Sequence, residues 1–520
     1  MKLLITHKIS LIDILLLCYI TIGGLSQSII YPEGINLFML TRWSVLIVCY
    51  IAIRLSQRKD WVLWGIILIG VIEAFLAMLQ RCHWLSSRHS EFDMTGTFAN
   101  PGPLGGFLAV VVVVLWGLYQ RDSSQRMLKL VLFIMLVSTG IVLILTDSRA
   151  GWLAAISGYI CIWHFSGRRF QFPSYVYIII TLLVGFLLVG VYFHKKDSTN
   201  GRFLIWRVST TMIADAPLTG HGIGFFPEKY MYYQAQYFEE NPDSKLNNLA
   251  DNIIYPYNEY LRVGVEFGIL GMLAVLFLII AIFKYAILQG NTVIYLGALT
   301  SLLVFAMFSY PAEVFLLLLL FPFLIGGIEC KKSFLISITP AHRYMLGGLC
   351  VFVLCWAGYV YYRYVSLESK VEKLYIGSSV VKHVDPAKYI QMHMNELKPT
   401  PRLLDLYAQY SFRHLPLTES LPIVEFTTTI VPTSEIFCDL GDLYLQQDQI
   451  EKAIECYQLS SHMIPHRILP KYKLFQLYRN VGDTIQMKII GERLLSTSVK
   501  VESTQTLQIK GEVKKQLFQK

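Results

Sequence analysis

Charge is scarce in this chain: only 16% of its 520 residues are Asp, Glu, Lys or Arg, where a soluble domain carries about 25%. That shortage excludes an ordinary soluble enzyme. Cysteine is present but unpatterned. The nine cysteines form no CxxC pair and no metal-ligand spacing, so neither a disulfide framework nor a zinc site is expected, and no metal or cofactor is called for. Cys18, Cys49, Cys161, Cys350 and Cys355 lie inside apolar runs, where a thiol behaves as a small hydrophobe. Lys2 and Lys8 precede the first apolar run, but no clean small-residue cleavage site follows it. The N-terminus therefore reads as a first span and not as a removable signal. The net charge of +9 is spread over short loops and the C-terminal tail, which is membrane topology and not a nucleic-acid patch.

What the chain has in quantity is apolar sequence: 54% of its residues are hydrophobic, in blocks. A helix needs roughly 20 apolar residues to span a bilayer. Spans are expected near 10–30, 35–53, 61–80, 101–119, 127–146, 150–166, 174–193, 260–283, 291–309, 311–328 and 344–362. Very short turns at Asp147 and Pro311 join two of the pairs. The expected fold class is all-α: a polytopic membrane bundle of about eleven spans over 1–362, with a large outer loop at 194–258. A soluble helical domain over 363–520 follows. With the N-terminus in the cytoplasm, the inner loops hold Arg54, Arg58 and Lys59; Arg121, Arg126 and Lys129; Arg168 and Arg169; Lys284; and Lys331, Lys332 and Arg343. The short outer loops hold mainly Arg81, Arg88 and Arg149. The excess of basic residues inside satisfies the topology rule at every inner loop. Residues 81–100, 194–258 and 363–520 are then expected in the periplasm, and the protein in a bacterial inner membrane.

The tail turns polar after Tyr362. Residues 434–467 read as a tetratricopeptide repeat, with Phe437, Leu440, Gly441, Tyr444, Ala453, Tyr457 and Pro465 at its consensus places. Small residues let two helices approach, aromatics fill the groove, and proline ends the second helix. A degenerate helix pair is expected at 468–496. The alternative is a generic stack of helical hairpins. Either stack offers a surface to a protein partner.

Polar residues at membrane depth are costly, so they are the functional candidates. Four clusters qualify. Thr95–Gly106 opens the fourth span, with Asn100 as a helix cap before Pro101. Thr146–Trp152 places Asp147 and Arg149 in an outer turn; Arg149 either binds a phosphate bidentately or staples the turn to Asp147. The large loop carries Arg202, Trp206 and Arg207, then His221 inside the glycine-rich run 220–224. Its stretch 202–215 suits an interfacial amphipathic helix anchored by Trp206. His221 is either an acid–base group or a loop histidine without chemistry. Last, Asn258, Arg262 and Glu266 share a helix face where the loop re-enters the membrane, with Glu259 beside it. A carboxylate there either acts as a base or merely pairs with Arg262.

In order and spacing, these clusters resemble the O-antigen ligase family, which also covers related polymerases and protein O-oligosaccharyltransferases. The likeness runs over roughly 90–330 and rests on Gly96 to Pro101, Ser148 to Gly151, Arg202 to Trp206, Pro217 to Gly224 and Asn258 to Gly271. The resemblance implies a metal-independent glycosyltransferase. Its donor would be a glycan on a polyprenyl diphosphate, usually undecaprenyl, and its acceptor lipid A–core, another glycan or a protein hydroxyl. It further implies that Arg149 and Arg202 grip the diphosphate and stabilise the leaving group, with Asn100, Arg207, Asn258 and Arg262 as further substrate-binding residues. The chain departs from the family at one point: Tyr257 stands where members often carry histidine. Tyrosine near pKa 10 is a poor base at neutral pH. Either Glu259 or His221 then serves, or the activity differs from ligation to lipid A–core. A reading of another class is a transporter or flippase of lipid-linked glycans. That would need polar groups through the bundle centre, where Glu73 and Glu313 are the few acids. A sensor with the tail as receptor would leave the second and fourth clusters unexplained.

Overall fold

The computed structural model describes residues 5–17, 37–87, 89, 91–121, 125–166, 196–331, 333–338, 340–375, 401–500 and 502–518. They are overwhelmingly helical. The exception is a two-stranded antiparallel ladder pairing Ile5–Ser10 (β1) with Ser333–Ile338 (β2), Ile5 opposite Ile338 and Ser10 opposite Ser333. By internal contacts the chain divides into two units. One comprises Met1–Ile35, Leu40–Lys195 and Tyr257–Gly358; the other comprises Asn36–Met39, Lys196–Pro256 and Tyr359–Lys520. The large loop therefore groups with the tail.

The first unit is the apolar bundle. Its helices are α1 (Leu37–Leu55), α2 (Asp60–Arg81), α3 (Pro101–Gln120), α4 (Arg126–Leu145), α5 (Arg149–Phe165), α8 (Glu259–Tyr285), α9 (Asn291–Ala306) and α10 (Phe315–Gly327). Helix α11 (Pro340–Tyr375) carries the boundary between the units. Among the described residues, five helices are long and apolar enough to cross a membrane: α2, α3, α4, α8 and the stretch Gly347–Leu367 of α11. Helices α9 and α10 are apolar but shorter. Helices α1 and α5 lie on the second and sixth expected spans. The expected span 174–193 and most of 10–30 fall outside the described residues, so the count of eleven is not tested.

Helix α3 is the axis. Its run of five valines, Val110–Val114, is apolar on every side, as only a helix surrounded by others can be, and each is at most 1% exposed. Helices α4, α5, α9 and α2 pack around it. The packing rests on small residues, as expected where no water drives helices together. A Cβ on Gly158 of α5 would lie 2.6 Å from Val113, and one on Gly297 of α9 would lie 2.4 Å from Ile162.

One end of the bundle gathers the loops expected to be basic and inner. Arg121 reaches Asn291 at 3.0 Å and Asp60 at 3.5 Å. Tyr295 donates to the backbone oxygen of Lys59 at 2.8 Å, and Lys59 pairs with Glu329 at 3.9 Å. Arg54 grips Asp13 at 2.9 Å and donates to the Ile328 oxygen at 2.5 Å. Asp13 also accepts from the Tyr50 hydroxyl and, at 2.7 Å, from that of Ser10. The N-terminal segment is thereby tied to the same end as 328–338, in agreement with the ladder.

The second unit begins with α6 (Lys196–Asp215) and α7 (Phe225–Glu240). It continues with α12 (Pro401–His414), α13 (Leu417–Ile430), α14 (Ser434–Gln446), α15 (Ile450–Met463), α16 (Leu469–Val481), α17 (Thr484–Ser496) and α18 (Thr504–Phe518). The tail helices pack as successive neighbours in chain order. In the α14–α15 pair, a Cβ on Gly441 would lie 2.5 Å from the Tyr457 ring, and Ala453 is fully buried. Pro465 follows the end of α15 at Met463. The small and aromatic positions read from the sequence thus face each other in one hairpin.

Candidate functional site

At the end of the bundle opposite the basic loops, the first and second sequence clusters build one structure. Helix α2 presents Glu73 and Gln80, two turns apart on one face. The Gln80 amide accepts from the backbone N–H groups of Thr95 at 2.9 Å and Gly96 at 2.7 Å, and donates to the Gly96 oxygen at 2.9 Å. Glu73 accepts from Thr97 N at 2.8 Å and from its hydroxyl at 2.5 Å. Glu73 is 4% exposed. It is therefore the clamp of the 95–97 loop, a role its place in an apolar run did not reveal. Gly96 is required there by a φ of 59°. From this loop the chain enters α3, capped by Asn100, whose side chain accepts from Gly102 N at 2.8 Å with Pro101 as first residue. The Asn100 oxygen is thus occupied as a cap.

Ser148 caps α5, accepting from Gly151 N at 3.2 Å, and also donates to the Gly102 oxygen at 3.3 Å. The two motifs touch: a Cβ on Gly105 would lie 2.3 Å from Ser148, and one on Gly151 would lie 2.7 Å from the Gly105 oxygen. Arg149, the first residue of α5, is half-buried on this turn with the Asp147 charge acting on it.

The fourth cluster forms a charge network of three carboxylates around Arg262. Asn258 caps α8, accepting from Tyr260 N at 3.0 Å and Leu261 N at 3.2 Å. Arg262 lies 3.6 Å from Glu259 and 3.6 Å from Glu266, and it donates to Glu313. Glu259 also accepts from Ala312 N at 2.9 Å, and Arg42 of α1 donates to the Ala312 oxygen. Arg42 acts electrostatically on both Glu259 and Glu313. Three carboxylates thus meet two guanidiniums. A carboxylate at this helix start can accept the proton of a nearby hydroxyl, which is what a general base does. Gly268 ends this outer piece of α8. Its φ of 63° and ψ of −162° break the helix, so residues 259–267 stand apart from the membrane-crossing part. Glu313 lies in the 307–314 junction between α9 and α10, not inside a span as its apolar flanks suggested. Arg42 was missed, although an arginine within LFMLTRWSVLIV is itself the intramembrane-charge signal.

The remaining candidates belong to the second unit. In α6, Leu204, Ile205, Val208, Ser209 and Met212 are buried, and the helix packs on α7. Trp206 donates to the Pro256 oxygen at 3.1 Å, so its indole ties α6 to the loop's end. The Arg207 guanidinium lies 5.1 Å from the centre of the Tyr237 ring, a cation–π contact; Arg202 is half-buried. Gly220, Gly222 and Gly224 all take positive φ, 68°, 97° and 87°. That alternation explains the glycines without any phosphate. His221, between them, bonds the Met212 oxygen through Nε2 at 2.8 Å and stacks on Phe225 with centroids 4.0 Å apart. A carbonyl only accepts, so Nε2 carries the proton and Nδ1 is the basic nitrogen. Among the described residues no group of three His, Cys, Asp or Glu could hold a metal ion.

This order of a capped Ser148–Arg149 turn, a glycine-rich histidine loop and an acid-rich kinked helix is matched by a family model: residues 134–276 match O-Antigen ligase. The likeness to the O-antigen ligase family is confined to that segment. No curated protein matches the chain. The O-antigen ligase match covers Ser148 to Gly151, Arg202 to Trp206, Pro217 to Gly224 and Asn258 to Gly271; the 95–100 loop precedes it. With its apolar helices the protein is a multi-pass membrane protein, and its segment 134–276 is similar to the O-antigen ligase family.

Proposed function

We propose that the protein transfers a glycan from an undecaprenyl-diphosphate carrier to an acceptor hydroxyl at the outer face of a bacterial inner membrane. The supporting observation is the Glu259–Arg262–Glu266–Glu313 network at the bundle end opposite the basic loops, whose first three residues lie within the O-antigen ligase match. The basic end is cytoplasmic by the topology rule, so the network faces the periplasm, as do 194–258 and the tail. Arg149 binds the carrier's phosphate, since guanidinium is planar, always charged and bidentate. Glu259, or His221 Nδ1 as the other base, withdraws the acceptor proton as the hydroxyl attacks the anomeric carbon; the bond from that carbon to the diphosphate oxygen breaks, and the carrier diphosphate leaves with the electron pair, its charge held by Arg149. Arg202 and Arg207 bind donor or acceptor from the large loop. No metal takes part. The α14–α15 hairpin is a tetratricopeptide-type repeat.

Deleting the gene in its host tests the reading and sorts the acceptors. Free long chains mean a ligase, short chains a polymerase, and normal chains with unglycosylated proteins a protein transferase. Unaltered glycans of every kind would refute transfer.

A further inference from the structure

The tail's surface is engaged by the chain's own large loop. Helix α7 lies on α15 and α13. Gln234 of α7 is fully buried. Its amide donates to the Met463 oxygen at 2.7 Å and the Asp251 oxygen at 3.1 Å, and accepts from the Tyr230 hydroxyl at 3.1 Å. Every one of these groups would be costly to bury unpaired, so the amide fixes both segments at once. Tyr232 donates to the Thr428 oxygen at 3.3 Å and sets its ring edge-on to Phe437 at 5.9 Å. The strand of chain after α7 is bound just as closely. His466 Nδ1 donates to the Asn247 oxygen at 3.1 Å, and Ser498 to Asn248 at 3.0 Å. Asn252 donates to Glu435 at 2.6 Å and accepts from Ser434 N at 3.2 Å. Arg467 sits between Asp251, at 3.8 Å, and Glu435.

We propose that the tail is a fixed dock which positions the large loop for transfer, and that Gln234 and Arg467 are its positioning residues. The proposal rests on the transfer reading above. The dock acts through α7: its first residue, Phe225, stacks on His221 with the rings 5° from parallel. Fixing α7 fixes that imidazole and the three left-handed glycines around it. The tail surface around α13 and α15 is here bound to residues 225–252 of the same chain. A dock of this kind supplies orientation, and small misplacements of positioned groups slow chemistry by large factors.

The test uses the full chain in membranes. Arg467→Glu sets like charges against Asp251 and Glu435. It is expected to lower kcat about tenfold or more with KM little changed, and to open 241–256 to limited proteolysis. Adding Asp251→Arg restores the opposite charge across the seam and is expected to return both readouts most of the way. A second variant, Asn252→Cys with Glu435→Cys, is joined by a short bis-maleimide; a fixed dock leaves its kcat and KM unchanged. Unaltered proteolysis and kcat in Arg467→Glu would overturn the proposal, and so would an inactive cross-linked protein. Proteolysis separates the two readings: a loop opened by Arg467→Glu in a protein whose wild type transfers no glycan supports the dock and removes the transfer reading.

Discussion

Arg262 stands between Glu259 and Glu266, 3.6 Å from each, before the helix breaks at Gly268. Its guanidinium is the keystone of the network and not a free substrate ligand, because Glu313 also claims it. Removing it strands three carboxylates, two of them with side chains less than 20% exposed. Arg262→Met should therefore destabilise the protein by about 3 kcal/mol and abolish transfer, seen as a lowered melting temperature in detergent. Glu259→Gln keeps the shape and the Ala312 hydrogen bond. It should lose transfer while melting as the wild type does.

Glu259 and His221 are the two bases to be separated. Glu259→Gln and His221→Ala, assayed side by side, should differ: general-base loss lowers kcat about 100-fold or more. The Glu259 variant is expected to show it. Full activity in both variants would remove both from the role.

Gly96 is a sharp test of the 95–97 loop. An alanine there takes a left-handed backbone costing about 1–2 kcal/mol, and its Cβ would lie 2.4 Å from the Glu73 carboxylate. Gly96→Ala should lower the melting temperature and loosen the Asn100 cap. Gly140→Ala, with nothing within 4 Å of the new Cβ in α4, is the control. It should be neutral or slightly stabilising. Equal melting of the two variants would refute the clamp.

The tail carries a pH-dependent element. Burial, and after it the neighbouring Asp442 charge, push the Asp439 carboxyl up to about 7. The folded state therefore keeps a proton that the unfolded chain, near the ordinary value of 3.8, gives up. Asp439 favours folding fully below that ordinary value, and the contribution is lost as pH rises through about 7. Asp439→Asn should flatten this slope and raise the tail's stability above pH 7. Thermal unfolding of the full chain at pH 5 and pH 8, two points chosen on either side of about 7, checks it. An unchanged slope in the variant would contradict the assignment.

Much of the bundle was legible from local pattern. Spans follow from apolar runs, and the Asn100–Pro101 and Ser148 starts follow from cap chemistry that needs only neighbouring residues. The four clusters were found because polar groups are costly in lipid. What was not legible depends on contacts far along the chain. The β1–β2 ladder pairs residues over 300 positions apart and has no local signature in a stretch read as the approach to a span. Glu73 gave no sign of its partner, since Thr97 is brought to it by a turn. Gly268 looked like one of several packing glycines, and only its backbone angles show a break. The docking of the large loop on the tail is written in single side chains such as Gln234, which look ordinary until Met463 is beside them.

The most direct test is donor turnover by Arg149→Ala, assayed in membranes with an undecaprenyl-diphosphate-linked glycan and its acceptor. Arg149 lies half-buried on the Ser148 turn, so the variant should reach the membrane in normal amount. Loss of transfer by about 100-fold or more, the scale of removing one charge-stabilising donor, with Arg149→Lys retaining part of it, is the expected result. Wild-type transfer by Arg149→Ala would contradict a phosphate grip at this end of the bundle.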